Sequence, residues 1–170
     1  MEQHSMRVET FGGLAVWLDE KLLVRRGERI NKNLELLALL ALNGRAPLSN
    51  EALAGLLWTE EESHNPAGAL KNAAYSLRRL LEQRGVEREL VTVEDKQYRL
   101  APDLALEVDL WQAGRLAEQA VNQPDKALAL AAWEELDGIC CGDFLPQLAD
   151  RPWVAGQAAL VRDGWVAAAR

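Results

Sequence analysis

The stretch from Asn65 to Gly85 constrains this chain more than any other, because it carries its own start and stop signals. Asn65 can accept from the free amides of a first helical turn. Pro66 suits the first helical position, where no N–H is needed, and Gly85 can take the left-handed conformation that ends a helix. Between them Leu70, Ala73, Ala74, Leu77, Leu80 and Leu81 recur at spacings of three and four, which makes one apolar face. At about 100° per residue the opposite face presents Gly68, Asn72, Tyr75 and Arg79 at its apex, with Lys71 and Arg78 on one flank and Ser76 on the other. Such side chains reach phosphates and base edges, but they would also serve as the solvated face of an ordinary surface helix. The elements on either side decide between the two.

Upstream, Arg7–Phe11 and Leu14–Leu18 alternate apolar and polar residues around Gly12-Gly13, the pattern of a hairpin. Asp19-Glu20-Lys21 makes a turn into a further short strand at Leu22-Leu23-Val24. Asn31 or Asn33 can cap the next helix, whose run Leu34–Leu42 is apolar nearly all round and therefore buried on most sides. Gly44 closes it and Pro47 prevents its continuation. Ser49 can cap a second helix from Asn50 to about Trp58, and Glu60-Glu61-Glu62-Ser63-His64 forms a polar loop.

Downstream of Gly85 the period switches to two. Leu90–Val93 and Gln97–Leu100 flank Glu94-Asp95-Lys96, which reads as a second hairpin. Strands, three helices and a hairpin within about 100 residues is the layout of a winged helix-turn-helix, in which the third helix enters the major groove and the hairpin touches the flanking backbone. The fold class expected is mainly α with small β-sheets.

Residues 6–103 resemble the winged-helix DNA-binding domain of OmpR-type regulators, in the version found in Streptomyces antibiotic regulatory proteins. The resemblance rests on Phe11-Gly12-Gly13-Leu14, on Asn33–Leu40, on Leu53-Ala54-Gly55-Leu56-Leu57-Trp58, on Ala69–Asn72 with Ser76–Leu81, and on Tyr98-Arg99-Leu100. Where that family usually carries glycine in the wing, Asp95-Lys96-Gln97 stands here. Residues 104–170 resemble the start of the bacterial transcriptional activator domain, an array of tetratricopeptide-like helical hairpins. They match through Val108–Trp111, Ala127–Leu130, Gly142–Pro146 and Trp153-Val154. By periodicity 109–121 and 125–136 are amphipathic helices, 137–151 is a Gly-, Pro- and Asp-rich loop, and a third helix starts at Pro152 and runs to Arg170. Helical repeats need about three stacked units for stability. A chain with fewer is expected to be part of a longer protein, or to pair with itself.

Charge and cysteine content narrow the classes. The net charge is −7, but it is uneven: residues 1–103 hold 14 Lys and Arg against 16 Asp and Glu, and residues 104–170 hold 5 against 10. The acidity sits in the second part, which leaves room for a locally positive face in the first. Cys140 and Cys141 are adjacent and the only cysteines, so no disulfide framework is available and a reducing, cytoplasmic setting is expected. No run approaches about 18 apolar residues, and the first six residues have no apolar core, so neither a membrane span nor a signal peptide is expected. His4 and His64 are isolated, and no phosphate-binding glycine motif is present. No catalytic centre, metal site or cofactor is expected.

The residues expected to touch double-stranded DNA are Lys71, Asn72, Tyr75, Ser76, Arg78 and Arg79 on the third helix, with Lys96 and Arg99 on the wing. Arg79 can bond guanine O6 and N7 together, and Asn72 can read adenine through its amide. Lys71, Tyr75 and Ser76 suit phosphates, which fix register without specifying sequence. Arg78 has a competing structural role, pairing with Glu82 one turn on. Lys32 and Arg45 lie near helix ends and could add phosphate contacts. The function expected is a DNA-binding transcriptional regulator, dimeric on repeated half-sites, whose helical part contacts a partner such as RNA polymerase. The competing expectation is a protein-interaction module whose winged helix does not bind DNA.

Overall fold

The computed structural model describes residues 4–44, 46–58, 64–140 and 142–159. Its elements, in order, are strands β1 (Ser5–Glu9), β2 (Ala15–Leu18) and β3 (Lys21–Val24), helix α1 (Lys32–Leu42), strand β4 (Leu48–Ser49), and helices α2 (Asn50–Leu57) and α3 (Pro66–Gln83). Strands β5 (Val91–Glu94), β6 (Gln97–Leu100) and β7 (Ala105–Val108) follow, then helices α4 (Asp109–Asn122) and α5 (Lys126–Ile139). A short 3₁₀ turn at Pro146–Leu148 precedes a helix, α6, over 152–159. The chain is thus mixed helix and sheet. One sheet has the order β3-β2-β1-β7 and the other β4-β6-β5.

The chain divides into two compact units that interleave in sequence. The first comprises residues 1–6, 17–23 and 29–106, and the second residues 7–16, 24–28 and 107–170.

In the first unit, helix ends are set by local chemistry. The Asn31 side chain accepts from the Leu34 amide at 3.0 Å and Ser49 from Ala52 at 3.1 Å, so each satisfies a donor with no intrahelical partner. Helix α3 stops in a Schellman motif: Val86 N–H donates to Leu81 O at 2.9 Å and Gly85 N–H to Glu82 O at 3.0 Å, with Gly85 at φ 93°. The core lies where α1, α2 and α3 meet the β4-β6-β5 sheet. Leu36, Leu37, Leu40, Leu53, Leu70, Leu77, Leu90 and Leu100 are all buried there, each worth about 1.5–3 kcal/mol relative to exposure. Every residue of α1 from Leu34 to Ala41 is buried. That includes Glu35, whose carboxylate stands 3.6 Å from Lys32 Nζ, while Lys32 also donates to Leu57 O and lies over the Trp58 ring. Lys32 is therefore tied into the α1–α2 junction. Arg45 and Glu60-Glu61-Glu62 lie outside the described residues.

In the second unit, α4 and α5 form a helical hairpin. Ala113, Leu116, Ala117 and Ala120 of α4 and Ala132 and Leu136 of α5 are its buried residues. The Asp125 side chain caps α5 by accepting from Ala127 and Leu128. The segment Thr10–Gly13 is fastened into this unit. The Asp109 carboxylate accepts from Thr10 N at 2.8 Å, Thr10 Oγ1 at 2.6 Å and Phe11 N at 3.1 Å. Gly12 N–H donates to Asp143 O and Leu145 N–H to Thr10 O. The rings of Phe11 and Phe144 meet edge-on with centroids 6.0 Å apart. β1 and β2 are neighbours in their sheet, as the alternation around Gly12-Gly13 implies, and these bonds fasten the connection between them.

Candidate nucleic-acid interface

Helix α3 is amphipathic in the way its spacing dictates. Leu70, Ala73, Ala74, Leu77 and Leu81 are buried, while Lys71, Asn72, Tyr75 and Arg79 are exposed, Tyr75 at 60%. Its first turn is stiffened from outside: the Asn65 side chain accepts from Gly68 N–H at 3.2 Å and lies so close that a Cβ on Gly68 would stand 2.5 Å from Asn65 Nδ2. Ser76 and Arg78 are half-buried on the flanks. Arg78 does not pair with Glu82. Its Nη2 lies 3.8 Å from Glu89 Oε1 and 3.4 Å from Val91 O, because its flank of the helix faces the connector into β5. Arg79 Nη1–H donates to Tyr75 Oη at 3.2 Å, and its guanidinium carbon stands 5.9 Å from the Tyr75 ring centroid.

The wing is a two-residue hairpin. β5 and β6 pair antiparallel from Val91 with Leu100 to Glu94 with Gln97, and the connecting Asp95 and Lys96 both have positive φ, 51° and 62°. Two successive left-handed residues are the mark of a type I′ turn, whose twist matches the strands it joins. Lys96 therefore sits at the wing tip, exposed. Arg99 is placed differently. Val91, Tyr98 and Leu100 are buried, so strand alternation puts Thr92, Glu94, Gln97 and Arg99 on the opposite face. There Arg99 helps line a shallow cavity of about 140 Å³ with Pro47, Thr92, Glu94, Asp95 and Gln97. Val93, next to the tip and 44% exposed, is an apolar group on the wing that a search for charged residues passes over.

The third helix and the wing thus carry Lys71, Asn72, Tyr75, Arg79 and Lys96 as exposed polar groups of the same unit, with Ser76, Arg78 and Arg99 partly covered. Among the described residues no group of three or more His, Cys, Asp and Glu stands placed to hold a metal ion, and no helix is long and apolar enough to cross a membrane. Cys140 ends α5, half-buried, in a groove of about 620 Å³ that includes Phe11, Phe144, Pro146 and Val154; Cys141 lies outside the described residues.

Three helices followed by a hairpin that pairs back to the strand ahead of α2 define a unit compatible with a winged-helix fold, followed by a helical hairpin. A likeness to a solved structure agrees. The chain superposes on Mycobacterium tuberculosis EmbR, solved in complex with a low affinity phosphopeptide, with a TM-score of 0.65 and 18% identity over 97% of this chain. It spans 44% of the EmbR chain. At that identity the likeness is one of fold. No family model and no curated relative matches the sequence.

Proposed function

We propose that this chain is a transcriptional regulator that reads promoter DNA with α3 and contacts a protein partner such as RNA polymerase through its helical segment. In this reading residues 6–103 form an OmpR-type winged-helix domain and residues 104–170 the start of a tetratricopeptide-like activator domain. The protein works in the cytoplasm and catalyses no reaction. One observation carries the proposal: the exposed stripe Lys71, Asn72, Tyr75 and Arg79 lies on the third helix, directly ahead of a tight wing tipped by Lys96. A helix about 10–12 Å across fits the major groove, and these side chains are of the types that bond base edges and phosphates there.

Selection of bound sequences from random duplex DNA at about 0.1 M salt tests it. One motif is expected to be enriched, with half-sites spaced by whole helical turns if two copies bind. Arg79→Ala is expected to weaken binding to that motif about 10–100-fold, and Lys71→Ala to lower the salt dependence by about one counterion. Equal binding by Arg79→Ala would remove α3 as the reading element. A second reading, a protein-interaction module without DNA binding, is favoured by the net charge of −7 and by Leu128 and Leu130 of α5, exposed at 57% and 59%. Failure to enrich any sequence would select it.

A further inference from the structure

We propose that Tyr75 is a positioning residue for Arg79, holding the guanidinium so that its uncommitted edge meets a guanine; this rests on α3 being the DNA-reading helix. Sequence alone assigns Tyr75 to phosphate. The geometry points elsewhere: the hydroxyl accepts from Arg79 Nη1 at 3.2 Å, and the ring lies 5.9 Å from the guanidinium carbon, one helical turn away. A guanidinium has five N–H donors, so one bond to Tyr75 leaves the Nε–Nη2 edge for the O6 and N7 acceptors of guanine.

The neighbouring arginines show what sets Arg79 apart. Arg78 meets Glu89 and the Val91 carbonyl, Arg84 the Leu23 carbonyl, and Arg88 the Asp103 carboxylate. Arg79 takes part in none of the ion pairs formed among the described residues. Its partner is a neutral ring, so its orientation is restrained while its charge stays uncompensated. Arginine has many rotamers, and one already held in place loses less freedom on docking. Tyr75 thereby acts on specificity through Arg79 and brings no charge of its own to phosphate.

The test is a double-mutant cycle on the full chain, read on the selected duplex and on a scrambled one. Wild type, Tyr75→Phe, Tyr75→Ala, Arg79→Ala and the Tyr75→Ala/Arg79→Ala double variant are compared. Tyr75→Phe keeps the ring and is expected to lose about threefold on the selected duplex; Tyr75→Ala is expected to lose about tenfold. Both are expected to stay within about twofold of wild type on the scrambled duplex, and Tyr75→Ala to cost less than about twofold in the Arg79→Ala background. Placing 7-deazaguanine at the base Arg79 reads, which removes the N7 acceptor, is expected to abolish the effect of Tyr75→Ala. Because Tyr75 is exposed, each variant is expected to melt as wild type does. Equal losses on both duplexes, or in both backgrounds, overturn the assignment and return Tyr75 to phosphate. A wild-type chain that enriches no sequence overturns the reading of α3 and this proposal with it. An enriched motif with an additive cycle overturns this proposal alone.

Discussion

Replacing Asp109 by alanine should destabilise the second unit by about 2–4 kcal/mol. The carboxylate accepts three hydrogen bonds, from the amides of Thr10 and Phe11 and from the Thr10 hydroxyl. Thr10 is fully buried and Phe11 nearly so, so water does not reach the donors left behind. Each buried donor stranded without an acceptor costs about 1–3 kcal/mol. The hydroxyl can rotate toward another acceptor, so the two amides dominate, which sets a range of about 2–6 kcal/mol. A water entering the space vacated by the carboxylate would recover part of it. The loss of a negative charge from the first turn of α4 adds about 0.3–1 kcal/mol. Asp109→Asn keeps one acceptor oxygen and should lose about 1–2 kcal/mol. Urea unfolding of the full chain followed by far-ultraviolet circular dichroism measures both, with hydrogen exchange at the Thr10 and Phe11 amides reporting the site directly. Thr10→Val in the Asp109→Ala background should cost less than in wild type, because its partner is already gone. An Asp109→Ala chain within about 0.5 kcal/mol of wild type, with both amides still protected, would refute the reasoning.

Three further outcomes follow from other parts of the structure. Lys96→Gly at the wing tip should raise stability by about 0.5–1 kcal/mol, since the second residue of the type I′ turn sits at φ 62°, where glycine is unstrained; a thermal melt reads it. Gly142→Ala should destabilise by about 1–3 kcal/mol in the same melt, because its Cβ would stand 2.7 Å from the Gly12 Cα and 3.0 Å from the Gly12 N, backbone atoms that cannot swing aside. The Asp19 carboxylate is held below the usual value of 3.8 by its hydrogen bonds to the His4 ring and the Ser5 amide, and Asp103 by its bond to Arg88. Groups lowered on folding stabilise above their unfolded value, and that contribution is lost as pH falls through the folded value. Urea midpoints should therefore drop below about pH 4, and Asp19→Asn and Asp103→Asn should each flatten that fall.

What the sequence revealed depended on how local its causes were. Asn65, Pro66 and Gly85 set the ends of α3 by bonds spanning a few residues, so that helix was legible to within about a residue of each end. The exposed stripe was legible for the same reason, since 3.6-residue periodicity fixes which side chains share a face. β7 was not, because a four-residue strand earns its place by pairing with β1, far away in the chain. The β1–β2 hairpin around Gly12-Gly13 was legible from alternation, but its bonds to Asp143 and Leu145 were not, because those partners lie more than a hundred residues on. Arg78 met Glu89 rather than Glu82 because the Schellman turn brings the connector back beside the helix. The face of Arg99 followed from alternation only once the register with β5 was known. The Tyr75–Arg79 pair was open to inspection at its i, i+4 spacing, yet charge-counting placed the two residues in separate roles.

The anchoring of Thr10 has a consequence for synthesis. Its acceptor on Asp109 lies 99 residues further along the chain. At about 5–20 residues per second, a ribosome needs roughly 5–20 s to make that stretch. Throughout that interval the Thr10 and Phe11 amides lack the Asp109 acceptor, and α1, α2 and α3 are polymerised within it. A chain cut after residue 106 would keep that condition permanently, lacking Asp109, Asp143 and Leu145 alike. The bonds between Thr10 and Asp109 can therefore close only after the whole of α1, α2 and α3 has been made.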